Sequence, residues 1–227
     1  MDRAYPGVRL PAGATPVHQQ DGAIIHADRA LAAFAGLAGA RGAAIHERVA
    51  VTALHPSERG ATITTAQGAW SADQVVVCAG PWARDLLMTV DISLPVTMTS
   101  QTVCYFPLAT SALPPGLIEY GGVDPYALHS PGGGLKAALH APGVPVDPGA
   151  PVPPDTEAVR RTVDWARARF GPEISEAPRR VETCIYTSTE DERFLIERHD
   201  RIIVVSACSG HGFQYAPDTG RRAAALL

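Results

Sequence analysis

Apolar and polar positions change period several times along the chain, and each change marks an element. Over residues 28–41 apolar positions recur at helical spacing, with Leu31, Phe34 and Leu37 on one face, which predicts an alanine-rich helix. Asp28 is placed to cap its start and Gly42 to stop it. Residues 1–20, rich in Gly and Pro, hold no period and read as a broken strand and loop. After the helix the period shortens to two. Short strands are predicted at 43–46, 49–54, 61–65 and 69–71, the last two joined by a turn at Gln67-Gly68.

Residues 73–79 (DQVVVCA) contain three consecutive valines and so predict a strand buried on both faces. It runs into Gly80-Pro81-Trp82, a glycine turn with proline suited to the first turn of a helix. Further strands are predicted at 97–106, 117–120 and 135–140, with Lys136 and His140 pointing to one side of the last. Residues 145–154 read as a proline-rich loop, and 155–170 as an amphipathic helix. At the end, 201–207 (RIIVVSA) repeats the buried strand, 208–212 the glycine turn, and the last residues begin a helix.

Two buried strands ending in glycine turns flank a β-rich stretch. The fold class expected is α/β (mixed α+β): a split nucleotide-type domain interrupted by a β-rich substrate domain. The substrate domain is expected over 1–21 and 92–195, and the nucleotide-type domain over 22–91 and 196–227. No GxGxxG follows a strand, and Gly36, Gly39 and Gly42 fall within and at the end of a helix, where they cannot cradle phosphate.

The 227 residues suffice for a sizeable core, and 46% hydrophobic with 19% charged residues is a globular composition. A net charge of -4 argues against nucleic acid or an anionic membrane as partner. There is no run of apolar residues long enough for a membrane span, and the start lacks a signal-peptide pattern, so a cytoplasmic location is expected. The four cysteines form no CxxC, and no metal site is expected; His199, Asp200 and His211 lack zinc-ligand spacing. Among 19 basic residues Lys136 is the only lysine. That position either needs an ammonium able to lose its proton, which a guanidinium cannot do, or is a surviving surface lysine.

The ordered blocks Val77-Cys78-Ala79-Gly80-Pro81-Trp82, Gly132–Lys136 with His140, Cys184-Ile185-Tyr186-Thr187, Asp191–Ile196 and Ser209-Gly210-His211-Gly212-Phe213 resemble the monomeric sarcosine oxidase and N-methyltryptophan oxidase family. These are FAD-dependent amine oxidases of the D-amino-acid-oxidase type. The resemblance implies that Cys184 carries a covalent thioether to the flavin, rather than being a buried structural thiol. It implies that Lys136 activates dioxygen, that His140 stands near the substrate amine, and that Tyr186 and, more loosely, Tyr126 face the substrate. Ala79, Gly80, Pro81 and Trp82, with Ser209, Gly210, His211, Gly212 and Phe213, would cradle FAD. Gln214 stands where the family has a lysine for the substrate carboxylate; an amide brings no charge, so a substrate other than sarcosine is implied. Lacking the family's N-terminal strand and GxGxxG turn, the chain is expected to be truncated there, so the resemblance makes 22–91 a partial FAD-binding domain and 196–227 the return to it: an incomplete FAD/NAD(P)-binding-type domain. The partners implied are a small-molecule amine or amino acid and dioxygen. The alternatives are a catalytically inactive remnant that acts as an interaction domain, and a same-fold dehydrogenase serving an electron carrier.

Overall fold

A computed structural model describes residues 7–109, 116–206 and 208–227. Four helices are present among them: α1 Ala27–Ala40, α2 Ala83–Met88, α3 Thr156–Phe170 and α4 Ala216–Ala224. The strands are β1 Val51–Ser57, β2 Gly60–Thr65, β3 Gly68–Ala72, β4 Val75–Val77, β5 Thr97–Phe106 and β6 Leu117–Ile118. They continue with β7 Pro125–His129, β8 Leu135–Leu139, β9 Val144–Pro145, β10 Arg180–Ser188, β11 Leu195–His199 and β12 Ile202–Ser206. The chain divides into two compact units. One holds the residues up to His26 and Thr99–Ile185, the other Ala27–Met98 and Tyr186–Leu227.

In the first unit the strands run in the order β10-β5-β8-β7-β6, with β9 also paired to β5. Helix α3 covers one face. Its cap is Asp155, whose carboxylate accepts from the N–H groups of Glu157 and Ala158. Of its buried residues, Ala166 and Phe170 pack with Cys104, Phe106, Ala127, Leu135 and Ala137. Alanine at three facing positions, all 0% exposed, lets helix and sheet approach closely while the two phenylalanines fill the ends. Burying each phenylalanine contributes about 1.5–3 kcal/mol.

The β7–β8 hairpin fixes the register that matters most below. Gly132, Gly133 and Gly134 all have positive φ, and a Cβ on Gly134 would stand 2.4 Å from the Phe106 carbonyl oxygen. Only glycine satisfies both the φ and the approach. The turn sets Leu135 opposite His129 and Lys136 opposite Leu128.

In the second unit β1-β2-β3 form an antiparallel meander, and β11-β12-β4 a second sheet in which β12 and β4 run parallel. Strand β12 is buried throughout. Ile202 and Val204 pack with Leu54, Val77, Ala83 and Leu87 on one face; Ile203 and Val205 pack with Ala223 of α4 on the other. Coverage on both faces explains why its sequence has no polar alternation.

Several local expectations change. Residues 43–46 form turn and coil rather than a strand, and no strand occurs in the described part of residues 1–20, whose first six lie outside the described residues. Ala207 also lies outside them. Helix α1 starts at Ala27, so Asp28 sits in its first turn instead of capping it. The valine strand is shorter than expected and is not buried on both faces: Val77 is buried, but Val76 is 37% exposed. It is an edge strand among the described residues, paired only with β12, so one side of it lacks cover. The turn after it is a 3-10 turn over Gly80–Trp82 leading into α2. Strands β7, β10 and β11 were not expected: their polar residues hide the period that pairing with neighbours makes evident.

Candidate functional site

The open face of the first unit's sheet follows from alternation. Leu135, Ala137 and Leu139 are buried, the first two in the α3-facing core, so Lys136, Ala138 and His140 point to the other side. Lys136 sits opposite Tyr105 on β5 and Leu128 on β7, while Ala138 sits opposite Val103 and Tyr126. The His140 N–H donates to the Asp124 carbonyl at 3.2 Å, which extends the pairing one rung beyond the strand. Tyr126 is therefore level with the midpoint between Lys136 and His140, which lie about 13 Å apart along the strand.

Strand β10 brings a fourth residue to this face. The Arg179 N–H donates to the Tyr105 carbonyl at 2.8 Å, holding β10 beside β5. The Arg180 guanidinium stacks over the Tyr105 ring, 4.0 Å from its centre, and pairs with Glu182 at 3.0 Å. Burial, and then the hydrogen bond to Glu182, push the Tyr105 hydroxyl up to about 12. Since Arg180 and Glu182 both engage Tyr105, alternation puts Cys184 on the same face. Cys184 is exposed and forms no disulfide. Cys104, by contrast, is 0% exposed, and burial pushes its thiol up to about 11, which makes it inert. The structure thus brings Tyr126, Lys136, His140 and Cys184 to one sheet face. The Tyr105–Arg180–Glu182 cluster beside them was missed in the sequence; the alternation of 180, 182 and 184 was the available signal.

The remaining candidates belong to the second unit. Tyr186 and Thr187 end β10, and the Ser209–Gly212 turn folds against them: the Ser209 N–H donates to the Thr187 carbonyl at 3.0 Å. Ser209 has φ +41° and Gly210 φ +76°. A Cβ on Gly210 would fall 2.3 Å from Tyr186 Cε2, so the turn reaches the ring only because residue 210 has no side chain. His211 Nδ1 lies 2.8 Å from the Ser209 carbonyl, and its ring packs on Phe194 with centres 5.3 Å apart. Phe213 and Gln214 are exposed. The turn through Ala79, Gly80, Pro81 and Trp82 follows β4, with Gly80 at φ +53° and Trp82 58% exposed. Beside it lies a hollow of about 810 Å³, lined by apolar residues such as Leu54, Ile63 and Trp82.

One observation fits a bound group such as a flavin at this turn, although the space beside the Gly210 backbone is itself filled by the Tyr186 ring. The hydroxyl of Thr187, directly under that turn, is buried without a hydrogen-bond partner; a polar group left so is an expected feature of a site that a bound group completes. Among the described residues no cluster of His, Cys, Asp or Glu is arranged to hold a metal ion, and no helix is long and apolar enough to cross a membrane.

The chain is similar to known oxidases in sequence and in fold. Human peroxisomal sarcosine oxidase is 28% identical over 243 residues, covering 97% of this chain and 60% of its own length. Monomeric sarcosine oxidase of Bacillus sp. (strain B-0618) is 26% identical, again with 97% and 60% covered. N-methyl-L-tryptophan oxidase of Shigella dysenteriae serotype 1 is 27% identical over 97% of the chain and 61% of its own length. The chain therefore spans about three fifths of the length of these curated relatives. Among solved structures, the open form of NikD, an unusual amino acid oxidase essential for nikkomycin biosynthesis, superposes with a TM-score of 0.77 at 25% identity. That match covers 85% of this chain and 54% of NikD. Glycine oxidase from Geobacillus kaustophilus shares the fold, with a TM-score of 0.74 at 22% identity, over 86% and 52% of the two chains. The pattern of the FAD dependent oxidoreductase family, DAO, matches residues 2–226, and with nearly the whole chain so matched, the protein belongs to that family.

Proposed function

We propose that this chain provides the substrate face and part of the flavin cradle of an FAD-dependent oxidase of secondary amines or N-methyl amino acids, with dioxygen as acceptor and hydrogen peroxide as product. The observation that carries this reading is the single sheet face shared by Tyr126, Lys136, His140 and Cys184. Bound FAD supplies the redox chemistry, accepting two electrons from the amine and delivering them to oxygen. The first unit acts as the substrate domain and the second as the partial FAD-binding domain.

The roles of the side chains follow from their chemistry. The Lys136 ammonium stabilises negative charge that develops on dioxygen as it is reduced. His140 holds or takes a proton at the substrate nitrogen. Tyr126, on the first unit's sheet face, walls the substrate with a ring whose hydroxyl orients its polar end. Gln214 donates a neutral hydrogen bond where a carboxylate binds, which favours substrates less acidic or bulkier than sarcosine. Ala79, Gly80, Pro81 and Trp82, with Ser209, Gly210, His211, Gly212 and Phe213, line the flavin cradle. Cys184, an exposed thiol on the same face as Lys136, would tether the flavin through a thioether: its sulfur would replace one hydrogen of a flavin ring methyl, with loss of the thiol proton and a methyl proton, and the two electrons released would pass to dioxygen.

The test is an absorption spectrum of the purified protein before and after denaturation and filtration. Yellow colour that stays with the denatured chain, and filters away from Cys184→Ser, is the expected result. A protein that stays colourless after refolding with FAD would overturn the reading for this chain. Oxygen uptake with N-methyl amino acids, coupled to peroxide detection, then separates an oxidase from a dehydrogenase serving a carrier.

A further inference from the structure

The register of the first unit's sheet sets Arg180, Tyr105 and Lys136 in a row across its open face. The strand order β10-β5-β8 puts β10 and β8 on opposite sides of β5. On β5, Cys104 and Phe106 lie in the α3-facing core, so Tyr105 points the other way. On β10, Val181 packs with that core and the Thr183 hydroxyl donates to the Val152 carbonyl at 2.9 Å, so Arg180 and Glu182 share the face of Tyr105. Lys136 stands directly opposite Tyr105 on one side and Leu128 of β7 on the other. Residues paired in this way have Cβ atoms about 4.5–5.5 Å apart. The stem of the half-buried Lys136 is therefore walled by an aromatic ring and a leucine.

Tyr105 is itself clamped. The Arg180 guanidinium covers its ring from the β10 side, and its hydroxyl donates to Glu182. Arg180 and Glu182, 3.0 Å apart, offset each other's charge, so the clamp adds stiffness without adding net charge beside Lys136. Stiffness matters to a lysine. Each bond of its flexible stem has several staggered wells, so an unguided ammonium sweeps a broad volume. Stabilisation of a developing anion falls with distance, and a misplacement of about 1 Å can cost about 100-fold in rate.

We propose that Tyr105 is a positioning residue for Lys136: its ring, held by Arg180 and Glu182, restricts the lysine stem and keeps the ammonium at one place above the open face. The inference rests on the reading of Lys136 as the group that meets dioxygen, and it adds the residues that aim it. Tyr105 acts through Lys136 and touches no reacting atom.

The experiment is NMR of the purified chain labelled with carbon-13 at lysine alone. Lys136 is the only lysine, so every side-chain signal belongs to it. In the unaltered chain the Tyr105 ring current displaces its methylene protons from their free-lysine positions, and the stem is ordered. Tyr105→Leu returns the signals toward free-lysine positions and lowers the order parameter of the ε-carbon. Glu182→Gln, at an exposed position that leaves the fold intact, lowers it less, because the ring stays and only its clamp is loosened. Far-UV circular dichroism is unchanged in both. In a flavin-loaded preparation Tyr105→Leu slows reoxidation by dioxygen about 10- to 100-fold and leaves anaerobic reduction by substrate unchanged. Free-lysine signals in the unaltered chain, or an order parameter that neither variant changes, overturn the proposal. So does a Tyr105→Leu protein that reoxidises at full rate while Lys136→Met is slow. The NMR readout involves neither flavin nor oxygen: if Lys136→Met also reoxidises at full rate, the dioxygen reading fails, and the lysine signals still decide whether Tyr105 positions Lys136.

Discussion

Replacing Gly210 by alanine tests the junction between the Ser209–Gly212 turn and Tyr186. Two costs add. An L-residue held at φ +76° loses about 1–2 kcal/mol relative to glycine. The new methyl would also stand 2.3 Å from Tyr186 Cε2 and 2.7 Å from Cδ2 and Cζ, so the ring must leave its well. Moving a side chain off its rotamer costs about 1 kcal/mol. The expected loss is about 2–3 kcal/mol, or roughly 4–12 °C in melting temperature for a chain of this size. Denaturant unfolding of Gly210→Ala in the wild-type and Tyr186→Ala backgrounds separates the two parts. Without the ring only the backbone cost of about 1–2 kcal/mol remains, so a coupling of about 1 kcal/mol is expected. Equal losses in both backgrounds, or a total below about 0.5 kcal/mol, the range of an ordinary surface substitution, would refute the close approach.

Two other outcomes are expected. Lys136→Met, in a flavin-loaded preparation, slows reoxidation by dioxygen about 100- to 1,000-fold, the usual effect of removing one stabilising group at a developing anion, and leaves anaerobic reduction by substrate nearly unchanged. Stopped-flow absorbance measures both halves. In an ultraviolet titration of tyrosine, one group ionises late, at about 12, and Tyr105→Phe removes that phase. Because the folded value is raised, Tyr105 contributes full stability below its unfolded value of about 10 and loses it as pH rises toward 12, so thermal unfolding of the wild type falls more steeply in that window than that of Tyr105→Phe.

Much of the candidate site was legible because it depends on local rules. The spacing of Lys136 and His140 puts both on one face of any strand, and the glycines at 132–134 mark a turn that only positive φ can make. Cys184 was read only through its resemblance, although the alternation of 180, 182 and 184 marks a strand. The half-exposed β10, alternating Arg, Glu and Cys with Val, Thr and Ile, takes its meaning from the Tyr105 ring it covers.

What the sequence determined by itself is therefore the set of elements with strong periods: α3, the apolar run of β12, and the strand after Gly132–Gly134 that carries Lys136. These depend on interactions within a few residues or on an apolar run that tolerates no other environment. The tertiary structure decided which apolar elements are covered. Three valines in β4 and three large apolar residues in α1 carry the same sequence signal as a core, yet Val76, Leu31, Phe34 and Leu37 remain exposed. Hydrophobic spacing states what a segment can bury, whereas burial needs a partner surface, and that is a property of the assembled fold.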